Sequence, residues 1–416
     1  MKPKLLTTLE HYDRGQFLHD AVAGVTVALV ALPLSIAIAI ASGAPPAAGI
    51  TTAIVGGFLI SLLGGSRVQI GGPTGAFIVL VYDVIARHGF DGLVIATAMC
   101  GVILIVAGVL KAGKLVALVP EPVIDGFTIG IAVVIGASQL KDFMGLQTGP
   151  MPADFTEKLP VLWAARGSFN LAATLVGLGT IVAIALLRRY APRLPGSVIA
   201  VAIASLAVAA FALPVQSVTQ VYGALPSGLP MPHLPQVTLA KLTELAPSAF
   251  AIAFLAGVES LLSATVADRL VKGAHRPRAE LVAQGVANLG SSLFGGLPAT
   301  GAIARTATNV RAGGRTPVAG MIHALIVWGM VALAAPLAGA MVLPALAGLL
   351  LITAWSMAEP DRWGERLKLP RGELFLLFLT AGLTVLVDLT VAIAVGTILG
   401  LAKRSLKRRE EEKGVG

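Results

Sequence analysis

Two charged side chains stand inside apolar runs, where an ionised group is costly, and the chemistry starts with them. Glu259 lies in Ala253-Phe254-Leu255-Ala256-Gly257-Val258-Glu259-Ser260-Leu261-Leu262-Ser263, and Arg305 in Gly301-Ala302-Ile303-Ala304-Arg305-Thr306-Ala307. A carboxylate among hydrocarbon must be protonated, paired or bound to a cation. Glu259 therefore reads as a coupling site, carrying a proton or helping Ser263 to bind Na⁺. The alternative is a salt bridge to Arg305, and both hold if that bridge exchanges with substrate or proton. An arginine at such depth faces protein or an aqueous cavity, so the Arg305 guanidinium either attracts an anion or holds the scaffold through hydrogen bonds.

Two Gly/Pro phrases add backbone chemistry. Gly71-Gly72-Pro73-Thr74-Gly75-Ala76 and Gly295-Gly296-Leu297-Pro298-Ala299-Thr300-Gly301-Ala302 each precede an unusually short apolar segment. Proline at a helix start costs no hydrogen bond, and glycine lets backbone or substrate approach closely. Thr74 and Thr300 cap or line the openings. If the two half-helices face each other, free N–H groups and positive dipole ends converge on one small volume. That volume favours an anion by about 0.3–1 kcal/mol per helix end. The plainer alternative is a pair of tight turns that serve packing. Pro33 bends the first span beside a cavity, Ser35 adds a polar contact there, and Gln69 reads as a mouth residue.

The elements that must position these groups follow from composition. Of 416 residues, 56% are hydrophobic and only 13% charged, and long apolar runs alternate with short polar ones. The expectation is an all-α polytopic bundle in a lipid bilayer, since a β-barrel needs many alternating segments of about ten residues, which are missing. Fourteen segments are expected, near 18–41, 46–63, 74–86, 92–110, 118–139, 169–187, 195–211, 245–268, 278–295, 301–312, 317–336, 339–356, 372–386 and 388–402. The third and tenth are too short to cross a hydrocarbon core of about 30 Å alone. The first run lacks a processing site and continues into further spans, so it reads as a mature helix and not as a cleaved signal.

With the N-terminus in the cytoplasm, 25 of the 31 basic residues fall inside and five, Arg87, Lys141, Lys158, Arg166 and Lys241, outside; Arg305 is within a span. This follows the positive-inside rule and predicts a multi-pass protein of the cell inner membrane with both termini cytoplasmic. The net charge of +9 is thus a topology signal, and nucleic acid is not an expected partner. Cys100, the single cysteine, reads as a buried hydrophobe. His88, His233, His275 and His323 make no spaced metal set, and packing is the role expected of His323. No Walker motif accompanies Gly313-Gly314, which disfavours ATP-driven transport. Asp388 reads as an external turn. No nucleophile–base set appears, so an enzyme is not expected, nor any cofactor beyond a coupling H⁺ or Na⁺.

Seven spans separate the two Gly/Pro phrases, so equivalent segments point in opposite directions, as in an inverted repeat. The expected organisation is a cytoplasmic N-terminus at 1–17, a first seven-segment repeat at 18–211, and an extracellular loop at 212–244. A second repeat at 245–402 and a short basic cytoplasmic tail at 403–416 complete it.

The phrases taken together resemble the SulP sulfate-permease family of anion transporters, related to solute carrier family 26. The resemblance covers 18–402 and rests on Ala31-Leu32-Pro33-Leu34-Ser35, Ser42-Gly43-Ala44-Pro45-Pro46-Ala47-Ala48-Gly49 and Gln69-Ile70-Gly71-Gly72-Pro73-Thr74-Gly75-Ala76-Phe77. Pro120-Glu121-Pro122-Val123-Ile124-Asp125-Gly126-Phe127-Thr128, Gly257-Val258-Glu259-Ser260-Leu261-Leu262 and Gly301-Ala302-Ile303-Ala304-Arg305-Thr306 complete it. It implies a 7+7 inverted repeat split into core and gate domains, with an anion held between the third and tenth helices. Thr74, Gly75, Ala76, Ala304 and Arg305 then match anion-site positions, beside Thr300 and Gly301 of the second phrase. Glu259 and Ser263 match the coupling region, and homodimers form through gate and cytoplasmic contacts. Two departures stand out: Pro33-Leu34 replaces the Pro-Gln of many relatives, and about fourteen residues follow the last span where most relatives carry a STAS domain.

The expected function is alternating-access transport of sulfate, bicarbonate or a dicarboxylate with H⁺ or Na⁺. Its rivals are a nucleobase–cation symporter of the same fold and an anion channel.

Overall fold

Helix formation over most of the chain follows from its long apolar runs, because lipid leaves a backbone no hydrogen-bond partner except itself. The computed structural model describes residues 2–111, 113, 119–149, 151–192, 194–233, 235–387 and 391–402. Asp388 and the basic tail at 403–416 lie outside them. The first helices are α1 (Arg14–Ala41), α2 (Pro46–Leu63), α3 (Gly75–Val109), α4 (Glu121–Met144), α5 (Leu171–Tyr190) and α6 (Gly196–Ala210). The next are α7 (Leu239–Val271), α8 (Pro277–Leu293), α9 (Ile303–Arg311), α10 (Pro317–Gly339) and α11 (Leu343–Met357). The last are α12 (Arg371–Leu386) and α13 (Val391–Ala402). Among the described residues, eight helices are long and apolar enough to cross a membrane. The protein is an all-α polytopic membrane protein.

Helix boundaries differ from the apolar boundaries where polar residues can cap. α1 starts at Arg14, ahead of its apolar run, because the Asp13 carboxylate accepts from the Gln16 N–H at 2.7 Å. Thr238 likewise starts α7 ahead of its apolar run. Gly89, with φ 71° and ψ 177°, breaks α3 between the third and fourth apolar segments.

The sequence reading contained no strands, yet two exist. β1 (Gly71–Gly72) and β2 (Thr300–Gly301) pair antiparallel, Gly71 opposite Gly301 and Gly72 opposite Thr300. The Ala302 N–H extends the pairing to the Ile70 carbonyl at 2.8 Å. Broken backbone at membrane depth must find partners in protein, and here each interruption supplies the other's.

α3 packs on α7 and α8, α1 on α10, and α4 on α11 and α12. At Gly101 and Gly285 the backbones of α3 and α8 come so close that a Cβ on either would meet the other's carbonyl. Small residues serve membrane helix packing in this way.

A buried carboxylate ties this framework together. Glu280 on α8 accepts from the Gly65 and Ser66 N–H groups at 2.8 and 3.2 Å, from Ser260 Oγ at 3.0 Å and from Gln284 Nε2 at 2.9 Å. Replacement Glu280→Ala strands several buried donors and should cost about 3 kcal/mol or more of stability. Thermal unfolding in detergent measures this; a variant that melts with the parent would show that the carboxylate is not a structural tie.

Candidate functional site

The strand pair fixes where two helices begin. α3 starts after Thr74 and α9 after Ala302, and neither has a side-chain cap. Pro73 and Pro298 were expected to open helices, but both precede them, because strand pairing claims the residues between Pro298 and α9. The first bonds of the two helices are Phe77 N–H to the Thr74 carbonyl (3.2 Å) and Thr306 N–H to the Ala302 carbonyl (2.9 Å). The N–H groups of Gly75 and Ala76, and of Ile303, Ala304 and Arg305, precede those bonds and carry the partial positive charge of a helix start.

Both threonines turn their hydroxyls away from capping. Thr74 Oγ1 donates to Glu259 Oε2 at 2.8 Å, and Thr300 Oγ1 donates to the Ala256 carbonyl one turn earlier on α7 at 3.0 Å. One helix, α7, thus clamps both openings. Thr300 and Gly301 are buried; Ala304 is exposed and Glu259 partly so. Gly75 faces α4 and α11, where a Cβ would meet Met357 and Thr353 of α11 and Ile135 of α4. These three escaped the sequence reading because nothing in an apolar run signals which residue lies opposite a distant helix start.

Arg305 is 2% exposed, and its Nη2 donates to Ser35 Oγ of α1 at 3.2 Å. Its Nη1 is buried without a hydrogen-bond partner and lies against Gly72, whose added Cβ it would strike. Among the described residues no ion pair joins Arg305 to Glu259, so the salt-bridge alternative is not what the side chains adopt. Ser263 is buried 3.4 Å from Thr306 Oγ1, which also accepts from the Ile70 N–H at 3.1 Å. Ser263 therefore reaches the strand crossing and not the Glu259 carboxylate.

Other positioning residues were invisible in sequence. Thr52 starts a π-helical turn in α2 and accepts from the Leu297 N–H at 2.6 Å. Asn288 bonds both backbone groups of Ala299, at 2.8 and 2.9 Å. Gln69 is not at a mouth: it is buried, and its amide donates to the Ser260 carbonyl and hydroxyl at 3.1 and 3.2 Å. His323 is buried and serves packing, as expected of it. Among the described residues no cluster of His, Cys, Asp or Glu suits a metal ion.

Two unneutralised helix starts, a buried guanidinium and one carboxylate thus meet at a break in the bundle. The sequence model of the sulfate permease family matches residues 17–380. The chain belongs to that family. It is 41% identical over 389 residues to YvdB of Bacillus subtilis (strain 168), which is named as a sulfate transporter, covering 93% of this chain and 73% of that one. It is 32% identical over 397 residues to the bicarbonate transporter BicA of Picosynechococcus sp., covering 91% and 69%. Among solved structures, the transmembrane domain of a cyanobacterium bicarbonate transporter BicA aligns with TM-score 0.83 at 31% identity, over 92% of this chain and 98% of that one. Murine Slc26a9 in the inward-facing state aligns with TM-score 0.86 at 16% identity, over 97% and 71%, and shows the fold alone. The protein is a membrane anion transporter of this family and not an enzyme.

Gly72 offers a direct test of the crossing. Its φ of 151° lies where side chains are strained, and a Cβ there meets Arg305. Gly72→Ala should cost about 1–3 kcal/mol and lower transport by displacing the guanidinium. Melting and uptake equal to the parent's would show that the strand and Arg305 are not in register as described.

Proposed function

We propose that this family member is a secondary transporter that carries sulfate, bicarbonate or a dicarboxylate by alternating access, with H⁺ or Na⁺ as the coupling ion. The observation that carries the proposal is the pair of uncapped helix starts fixed side by side by the β1–β2 pairing. Free N–H groups so placed receive an anion without a cationic side chain having to touch it. In this proposal Thr74, Gly75, Ala76 and Ala304 line the anion. Thr300 and Gly301 hold the second opening in place, and Arg305 supplies positive charge from behind the strands.

Glu259 is the coupling group. Its contact with Thr74 gives it a route to the site: a carboxylate can accept from the threonine hydroxyl, whereas proton or Na⁺ arrival changes what that hydroxyl faces. Ser263 and Thr306 secure the crossing beneath it. The fold partitions into a core built on α1–α3 and α7–α10 and a gate built on α4–α6 and α11–α13, the two halves at 18–211 and 245–402 forming a 7+7 inverted repeat. Movement of the core past Ile135, Thr353 and Met357 would expose the helix starts to one side and then the other. Both termini are cytoplasmic in this topology, the 212–244 connection is extracellular, and the molecule pairs as a homodimer in the cell inner membrane.

Uptake into liposomes holding the purified protein tests this, with labelled sulfate, bicarbonate and fumarate under imposed H⁺ or Na⁺ gradients. Arg305→Ala should reduce uptake at least about tenfold, the worth of one charge-assisted contact. Glu259→Gln should make residual uptake indifferent to the cation gradient. Parent-like binding and coupling in both variants would overturn the assignment, and single-channel currents would replace alternating access with an open pore.

A further inference from the structure

A cavity of about 310 Å³ lies apart from the helix starts; none of Thr74, Glu259, Thr300 or Arg305 lines it. Its walls come from the end of α1 (Ile40, Ala41), from Tyr82 of α3, from 138–142 of α4, and from the connection that follows α4. That connection contains the helix Phe155–Ala164, which carries Lys158 into the cavity wall.

Lys158 is only 4% exposed. Its ammonium stands 4.9 Å from the Tyr82 ring centroid and donates to Ser138 Oγ at 3.2 Å. The Ser138 hydroxyl proton is committed to the Val134 carbonyl at 2.8 Å, so that oxygen is a pure acceptor for the lysine. An ammonium has three N–H donors. Here one oxygen and a ring face are the contacts it makes among the described residues, and no ion pair includes it. Asp154 acts on it by charge alone, and burial holds its pKa below that of an ordinary lysine. A buried cation so poorly paired calls for an anion.

The cavity has room and donors for one. Its volume is many times the roughly 10–15 Å³ that a single water requires. Gln139 lines it, 4% exposed, and Thr148 Oγ1 is buried there without a partner. Lys141 adds a second positive charge and Asp142 the one acidic side chain of the wall. We propose that this cavity is a second anion site, a capture site for a small hydrated oxyanion at the outer mouth, with Lys158 as its receptor. Its outer position follows from the charge distribution, which places Lys141 and Lys158 among the five external basic residues. Its walls join α1 and α3 of the proposed core with α4 of the proposed gate, so an anion held there sits against Tyr82 on one side and Ser138 on the other. The inference rests on the transport reading for its choice of probe anions and on the proposed topology for its outer position.

The test is uptake of labelled sulfate and bicarbonate from the outer face of oriented proteoliposomes, with equilibrium binding to the same protein in detergent. Lys158→Gln keeps a donor for Ser138 and removes the charge. It should raise the outer-face KM about tenfold, leave the inner-face KM and maximal rate near the parent's, and remove the salt-sensitive part of outer capture. Lys158→Arg should retain the parent's outer KM. In detergent, a second, weaker binding event should be present in the parent and in Arg305→Ala and absent in Lys158→Gln. An unchanged outer KM, or a lower maximal rate at unchanged KM, would overturn the proposal and leave Lys158 as a clasp between Tyr82 and Ser138. Should Lys158→Gln fail to fold, Gln139→Ala carries the same prediction of a raised outer KM. Loss of transport in Arg305→Ala alone would leave the main site standing while the outer site fell.

Discussion

Everything in this molecule depends on how two interrupted stretches of backbone are satisfied at the depth of a bilayer. Chain at 70–72 and at 300–302 is not helical and cannot bond its own N–H and C=O groups. Each stretch uses the other, and the antiparallel pairing brings two helix starts to one place. The glycines follow from this closeness: a Cβ at Gly71 would enter Ile60, one at Gly72 would strike Arg305, and one at Gly301 would overlap Gln69. Side chains of the surrounding helices then lock the crossing, through Asn288 on Ala299, Thr306 on Ile70 and Asn309 on the Val68 carbonyl at 2.8 Å.

The charges are arranged around that crossing and not within a salt bridge. Arg305 points behind the strands to Ser35, Glu259 points to the opening of α3, and Glu280 supports the loop after α2. A bridged Arg305–Glu259 pair would neutralise the positive field of the helix starts. Kept apart, the guanidinium adds to that field while the carboxylate accepts the Thr74 hydroxyl. The hydrogen bond from Gln69 to Ser260, and from Ser260 to Glu280, links the residue next to Glu259 with the loop that leads into β1. The helix that carries Glu259 is thus tied to β1.

Relatives named for sulfate and for bicarbonate are similar to this chain over more than nine-tenths of its length. A receptor made of backbone N–H groups, as proposed above, would let one framework suit anions of different shape. Such a receptor would supply positive potential and donors without a rigid side-chain template, leaving selection to the width of the gap and to the residues opposite it.

Sequence alone determined the bundle, the short third and tenth segments and the intramembrane charges, because apolar runs in lipid admit one local solution and a buried ion is conspicuous. Gly89 and the capped starts at Arg14 and Leu239 refine those boundaries without changing the order of elements. Only the tertiary structure decided which groups touch. It sent the Thr74 hydroxyl to Glu259, the Thr300 hydroxyl to α7 and the guanidinium to Ser35, and it buried Gln69. It also set Met357 opposite Gly75 and Lys158 above Tyr82. Periodicity reports which face of a helix is apolar, whereas these pairings join residues far apart in the chain whose meeting is fixed by packing.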